Sequence, residues 1–207
     1  MNVTKIEAAE KTKYKVYIDG QFVFALYKGE LSRYQLKEAR EVSAELYQEI
    51  KDKVIIKRAK LRAMHLLDGM SRTESQLRIK LKQNDYTDDV IDAAIDYVKG
   101  FGYINDENYV RSYILNKQSL KSKREIHAAL VNKGIASKVI DQLMEEYHEG
   151  QGEQKAIKAI AEKKRYNPET ASPQEKQKMY AYLARKGFRY DDIRQVLQVS
   201  EWKEENI

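Results

Sequence analysis

The sequence predicts a mainly α-helical protein: three tandem three-helix repeats in an elongated, curved stack, preceded by an N-terminal β-hairpin and helix. Three observations predict it. One spaced pattern of cap, apolar face, sharp turn and second apolar face occurs three times, and internal repetition fixes an architecture before any single residue does. The chain is 34% charged with only two prolines, which suits thin helical layers better than one thick globule. Only residues 1 to about 28 alternate apolar and polar positions as strands do.

In that first stretch Val3, Ile6, Tyr14, Val16 and Ile18 lead into Asp19-Gly20, and Phe22, Phe24 and Leu26 follow. Alternation around a two-residue Asp-Gly turn predicts a hairpin, with a third strand from residues 3 to 9. A lone hairpin is marginal in water, so it is expected to pack on the following helices or on a partner. Residues 31–56 are expected to be helical. Leu36, Ala39, Val42, Leu46 and Ile50 fall roughly on one side, and the helix could run on into the first repeat.

The repeats begin at residue 57. Thr73-x-x-Gln76-Leu77-x-x-x-Leu81, Asn84-Asp85-Tyr86 and Val90-Ile91 return 49 residues later as Ser122-x-x-Glu125-Ile126-x-x-x-Leu130, Lys133-Gly134-Ile135 and Val139-Ile140. A looser copy, Met179-x-x-x-Leu183, Lys186-Gly187-Phe188 and Ile193, is shifted by 53 more. A hydroxyl residue with Gln or Glu three later is a capping box, which satisfies orphan N–H groups at a helix start. Gly134 and Gly187 can take the left-handed conformation that ends a helix cheaply, and the next apolar residue is placed to fold back on the helix just left. A further helical stretch precedes each pair, giving nine helices. The expected divisions are 1–56, 57–104, 105–149 and 150–207. The third repeat lacks the cap in register, with Ser172-Pro173 starting its helix earlier.

The net charge of +6 says little by itself; its distribution says more. Within each repeat a basic helix precedes an acidic one. Arg72, Arg78, Lys80 and Lys82 stand before Asp85, Asp88, Asp89, Asp92 and Asp96, and Lys117, Lys121, Lys123 and Arg124 before Asp141, Glu145, Glu146 and Glu149. Lys176, Lys178, Arg185, Lys186 and Arg189 stand before Asp191, Asp192, Glu201, Glu204 and Glu205, with Lys203 among the last. Two readings follow. Stacked in register, the basic helices would form a stripe able to follow a phosphate backbone; alternatively, opposite charges neutralise one another between neighbouring helices. A recognition helix rich in carboxylates would be repelled by DNA, so sequence-specific reading by helix-turn-helix is not expected.

An enzyme is not expected either. None of the nine glycines falls in a phosphate-loop frame. His65, His127 and His148 lack a second ligand at helical metal spacing, so no metal and no cofactor is expected. Asp88-Asp89 and Asp191-Asp192 sit where helix starts favour acid. The absence of cysteine is usual for a reducing cytosol. No signal peptide or membrane span is evident, so a cytoplasmic location is expected.

The most specific segment is Phe101-Gly102-Tyr103-Ile104-Asn105-Asp106-Glu107-Asn108-Tyr109. Together with Lys133-Gly134-Ile135 and Arg185-Lys186-Gly187-Phe188, it resembles the bacterial RecX family of recombination regulators over residues 57–198. Residues 1–56 resemble an extension found in some members. The resemblance implies a non-enzymatic, monomeric cytosolic protein that binds the RecA recombinase filament, limits its extension or stability, and so regulates homologous recombination, DNA repair and the SOS response. It also implies binding to single- and double-stranded DNA and no membrane partner. The residues expected to face phosphates or RecA are Arg58, Arg62, Arg72, Arg78, Lys82, Lys117, Lys121, Lys123, Arg124, Lys163, Lys164, Arg165, Arg185, Lys186 and Arg189. The alternative is a general DNA-binding helical-repeat protein acting mainly through phosphate contacts.

Overall fold

The computed structural model describes residues 1–9, 12–146 and 151–197; His148, Glu149, Glu201, Lys203, Glu204 and Glu205 lie outside the described residues. Two compact units divide the chain, Met1–Asn105 and Asp106–Ile207.

The first unit opens with an antiparallel sheet in the order β1 (Val3–Ala8), β2 (Lys13–Ile18), β3 (Gln21–Tyr27). The expected third strand is therefore present. Asp19 and Gly20 both have positive φ, 48° and 82°, as a two-residue hairpin turn matched to strand twist requires. Val3, Val16, Ile18, Phe24 and Leu26 are buried.

The short helix α1 (Lys28–Arg33) is followed by a departure from expectation. Residues 34–43 are not helical. Gln35 and Ala39 turn left-handed, with φ of 52° and 61°, and the segment runs beside β1 instead. Val3 N–H donates to Arg40 O (2.9 Å), Ala39 N–H to Val3 O (2.9 Å) and Val42 N–H to Met1 O (2.8 Å). Leu36 and Val42 are buried here without a helix.

A helical run then extends without interruption through α2 (Ala44–Ile50), a π-helical stretch Lys51–Ile56 and α3 (Lys57–Leu67), capped by Ser43 Oγ accepting from Leu46 N–H. The expected division at 56/57 thus falls inside one helix. Ile50, Ile55, Ala59 and Ala63 are all buried along it, and they share a single core with the sheet, α4 (Glu74–Lys82) and α5 (Asp88–Gly100). A sheet too small to be stable alone is stabilised by that shared burial.

The second unit holds α6 (Asp106–Lys117), α7 (Lys123–Val131), α8 (Ser137–Glu145), α9 (Gln151–Lys163), α10 (Pro173–Arg185) and α11 (Tyr190–Leu197). Two cores form, one on Val110, Ile126, Leu130 and Ile140 and one on Ile157, Leu183, Phe188 and Ile193. Capping boxes open α4, α7 and α10. Leu81 and Leu130 lie eight residues after their caps and Leu183 eleven. The third cap is therefore set back by about one helical turn, which keeps its leucine on the same face. After each of these helices the chain turns left-handed, at Asp85 (φ 61°), Gly134 (83°) and Gly187 (87°). Ile135 N–H then reaches back to Leu130 O (3.3 Å) and Phe188 N–H to Leu183 O (3.2 Å), the six-residue closure of a Schellman motif. Ile135 and Phe188 are buried, and Tyr86 packs against the first core.

Candidate nucleic-acid interface

In the first unit the expected basic residues are largely occupied by the protein itself. Arg78 pairs with Glu74 (2.7 Å) and Asp92 (2.6 Å), and Lys82 with Asp88 (2.9 Å). Lys99 of α5 returns to Glu74 (2.5 Å). Between α4 and α5, then, the basic and acidic helices neutralise each other. Hydrogen bonds to Asp92 and Glu74 raise the Arg78 guanidinium above its ordinary value. Arg72 donates from Nε to Leu66 O (2.8 Å), holding the loop before α4. Arg58 bonds to Glu30 and to Ala25 O, with its guanidinium 4.7 Å from the centre of the Tyr27 ring. Arg62 forms no hydrogen bond or ion pair among the described residues, and its Nε is buried without an acceptor.

The second unit differs. Among the described residues Lys117, Lys121, Arg124, Lys163, Lys164, Arg165, Arg185 and Arg189 make no ion pair. The end of α9 places Lys163, Lys164 and Arg165 in succession, with Arg165 left-handed at φ 53°, and all three exposed. Lys164 Nζ lies 4.1 Å from the centre of the Tyr182 ring, and Lys186 Nζ of the α10 end 5.6 Å from the same ring. The ends of α9 and α10 therefore bring two cations to one aromatic ring, with Arg185 and Arg189 near Lys186 in the chain. Lys186 also pairs with Glu125 (2.7 Å), a hydrogen bond that raises its ammonium above the ordinary lysine range.

The start of α7 is a joint. Ser122 Oγ accepts from Glu125 N–H (3.1 Å) and donates to Lys186 O (2.6 Å). Lys123 N–H donates to Glu153 Oε1 (3.1 Å). The Arg124 stem lies over Gly187, where an added Cβ would stand 2.6 Å from its Cδ. Reversing charge at Lys123 and Arg124 would thus disturb packing as well as potential.

His127, Ser137 and Asp141 are close, but both partners sit on the same ring nitrogen: Nε2 is 2.8 Å from Ser137 Oγ and 3.2 Å from Asp141 Oδ1. A catalytic triad needs the acid on the opposite nitrogen, so this is a surface polar cluster. Among the described residues no group of His, Cys, Asp and Glu is arranged to hold a metal, and no helix is long and apolar enough to cross a membrane.

Residues 59–97 match the first three-helix domain of RecX, and residues 151–197 match the third. A regulatory protein RecX of Caldanaerobacter subterraneus subsp. tengcongensis is 32% identical over 202 residues, covering 97% of this chain and all of that protein. The chain belongs to the RecX family. Regulatory protein RecX of Clostridium acetobutylicum is 28% identical over 95% of this chain and 94% of its own length. Two crystal structures share the fold. One of a regulatory protein RecX has a TM-score of 0.62 at 24% identity, covering 96% of this chain and 99% of its own; RecX from Lactobacillus salivarius has 0.58 at 24% identity, covering 69% and 94%. No spacing rule could find the Lys164–Tyr182–Lys186 cluster, because Lys164 ends one helix and Tyr182 and Lys186 belong to the next.

Proposed function

We propose that this RecX protein modulates the RecA recombinase without chemistry of its own, binding the RecA–DNA filament and limiting its extension or stability. Membership of a family of regulatory proteins along essentially the whole chain carries this reading. The cations at the ends of α9 and α10 supply the electrostatic part. Lys186 apart, they have no carboxylate partner among the described residues, while Arg78 and Lys82 of α4 are paired with Asp92 and Asp88 of α5. A cation pair over an aromatic ring suits a phosphate backbone with a base stacked beside it.

The test is a titration into RecA on single-stranded DNA, following ATP hydrolysis and strand exchange. Both are expected to fall at protein amounts far below those needed to coat the DNA. Undiminished RecA activity alongside retained DNA binding would instead favour a general DNA-binding protein. Converting Lys163, Lys164 and Arg165 to Glu is expected to weaken DNA binding and flatten its salt dependence, by roughly 0.7 to 0.9 in log–log slope for each phosphate no longer engaged.

A further inference from the structure

A pocket of about 380 Å³ opens in the first unit between β2, β3, α3 and the turn after α4. Its polar and aromatic lining includes Lys13, Tyr27, Arg58, Arg62, Asp85 and Tyr86, with His65 and Asn84 beside them. Asp85 pairs with both Lys13 (2.9 Å) and Lys15 (2.8 Å); Lys15 stands outside the lining, opposite Glu7 across the strands, so within the pocket Lys13 and Asp85 cancel. Arg58 and Glu30 cancel. Arg62, with no ion-pair partner among the described residues, leaves one positive charge in the lining.

Arg62 is the anomaly. Its Nε is buried without an acceptor, so only the outer guanidinium nitrogens can meet a ligand in the pocket. It also lies one helical turn from Arg58, and like charges four apart on a helix repel. The half-buried Tyr86 phenol has Arg58 and Arg62 as its charged neighbours, with burial raising its ordinary value against their pull. One uncompensated charge beside a tyrosine–guanidinium stack matches an anion carried on a planar group. The volume lies near the small end of the roughly 300–1,000 Å³ range of ligand pockets, suited to a single nucleotide and too small for a folded peptide segment.

We infer that this pocket binds the phosphate of one nucleotide, Arg62 holding the phosphate and the base lying against the Tyr27–Arg58 stack. The phosphate can belong to a free nucleotide or to the 5′ end of a strand. The site does not depend on the filament reading, since the protein alone binds.

The experiment is NMR titration of the full chain with deoxyadenosine 5′-monophosphate, deoxyadenosine, inorganic phosphate and a triglutamate peptide. The nucleotide is expected to shift pocket resonances saturably, with deoxyadenosine and inorganic phosphate each about tenfold weaker or more. Arg62→Gln is expected to weaken nucleotide binding about tenfold at unchanged melting temperature. Should that variant melt early, the ligand series on the unaltered chain decides alone. Competition by a 5′-phosphorylated oligothymidine, and not by its 5′-hydroxyl counterpart, would assign the phosphate to a strand end; competition by neither would assign it to a free nucleotide. No pocket shifts with the nucleotide, equal binding of inorganic phosphate, tighter binding of triglutamate, or equal competition by both strands would each overturn the inference. RecA is absent throughout, so a negative result here leaves the filament titration untouched.

Discussion

The turn after α4 and the turn after α10 have the same backbone and opposite solutions for the side chain. Asp85 and Gly187 both stand left-handed behind a capped helix. Asp85 sends its carboxylate to Lys13 and Lys15 of the sheet, whereas Gly187 has no side chain so that Arg124 of α7 can pass over it. The helix end dictates the backbone; what lies across from it dictates the residue. The first unit ties its turn to the sheet by charge, and the second ties its turn to a neighbouring helix by close approach.

The sharpest way to break that contrast is Gly187→Val. A branched residue at φ 87°, with a Cβ under 3 Å from the Arg124 stem, adds left-handed strain to overpacking, so a loss of about 3 kcal/mol is expected in urea unfolding. A loss below about 1 kcal/mol would show that α7 and α10 do not press together. Next in size is Ser122→Ala, which removes a cap and leaves Lys186 O without its hydroxyl donor. About 2 kcal/mol is expected, against about 1 kcal/mol for Ser172→Ala, whose cap is exposed.

The charged turn answers to pH. Burial alone would raise the Asp85 carboxyl, but hydrogen bonds from Lys15 and Lys13 outweigh it and hold it below its ordinary value. A carboxylate favoured by folding contributes stability that is complete above the ordinary aspartate value and disappears as pH falls through the lowered one. Asp85→Asn keeps a residue tolerant of left-handed backbone. Its urea midpoint is expected to change less than that of the unaltered chain between about pH 6 and about pH 3. The smallest effect belongs to Lys82→Ala. Both members of its ion pair are well exposed, and a change within about 0.5 kcal/mol is expected by thermal melting.

Caps and turns were legible because their rules are local: Thr73 with Gln76, or Gly134 before Ile135, carry their geometry within six residues. The 34–43 segment was not. Leu36, Ala39 and Val42 imitate a helical period, but the backbone partners of Ala39 and Val42, Val3 and Met1, lie more than thirty residues away in sequence. Charge order along the chain was legible too, while its consequence was not. Asp92 meeting Arg78 is a matter of how α5 leans on α4, and no spacing encodes it. Arg62 was among the expected phosphate contacts, but its lack of a partner was not legible for the same reason, since it is one basic residue among four on α3 until the sheet is in place.

The π-helical stretch within the long first-unit helix has a consequence for length. Ile50 and Ile55 are five apart and both fully inside, although five α-helical steps would swing the second about 140° away from the first. The wider winding absorbs one surplus residue where it stands. Removing a single amino acid between 51 and 56 is therefore expected to leave both ends of the helix in phase with their cores, whereas the same deletion in α5 would rotate every residue beyond it out of place.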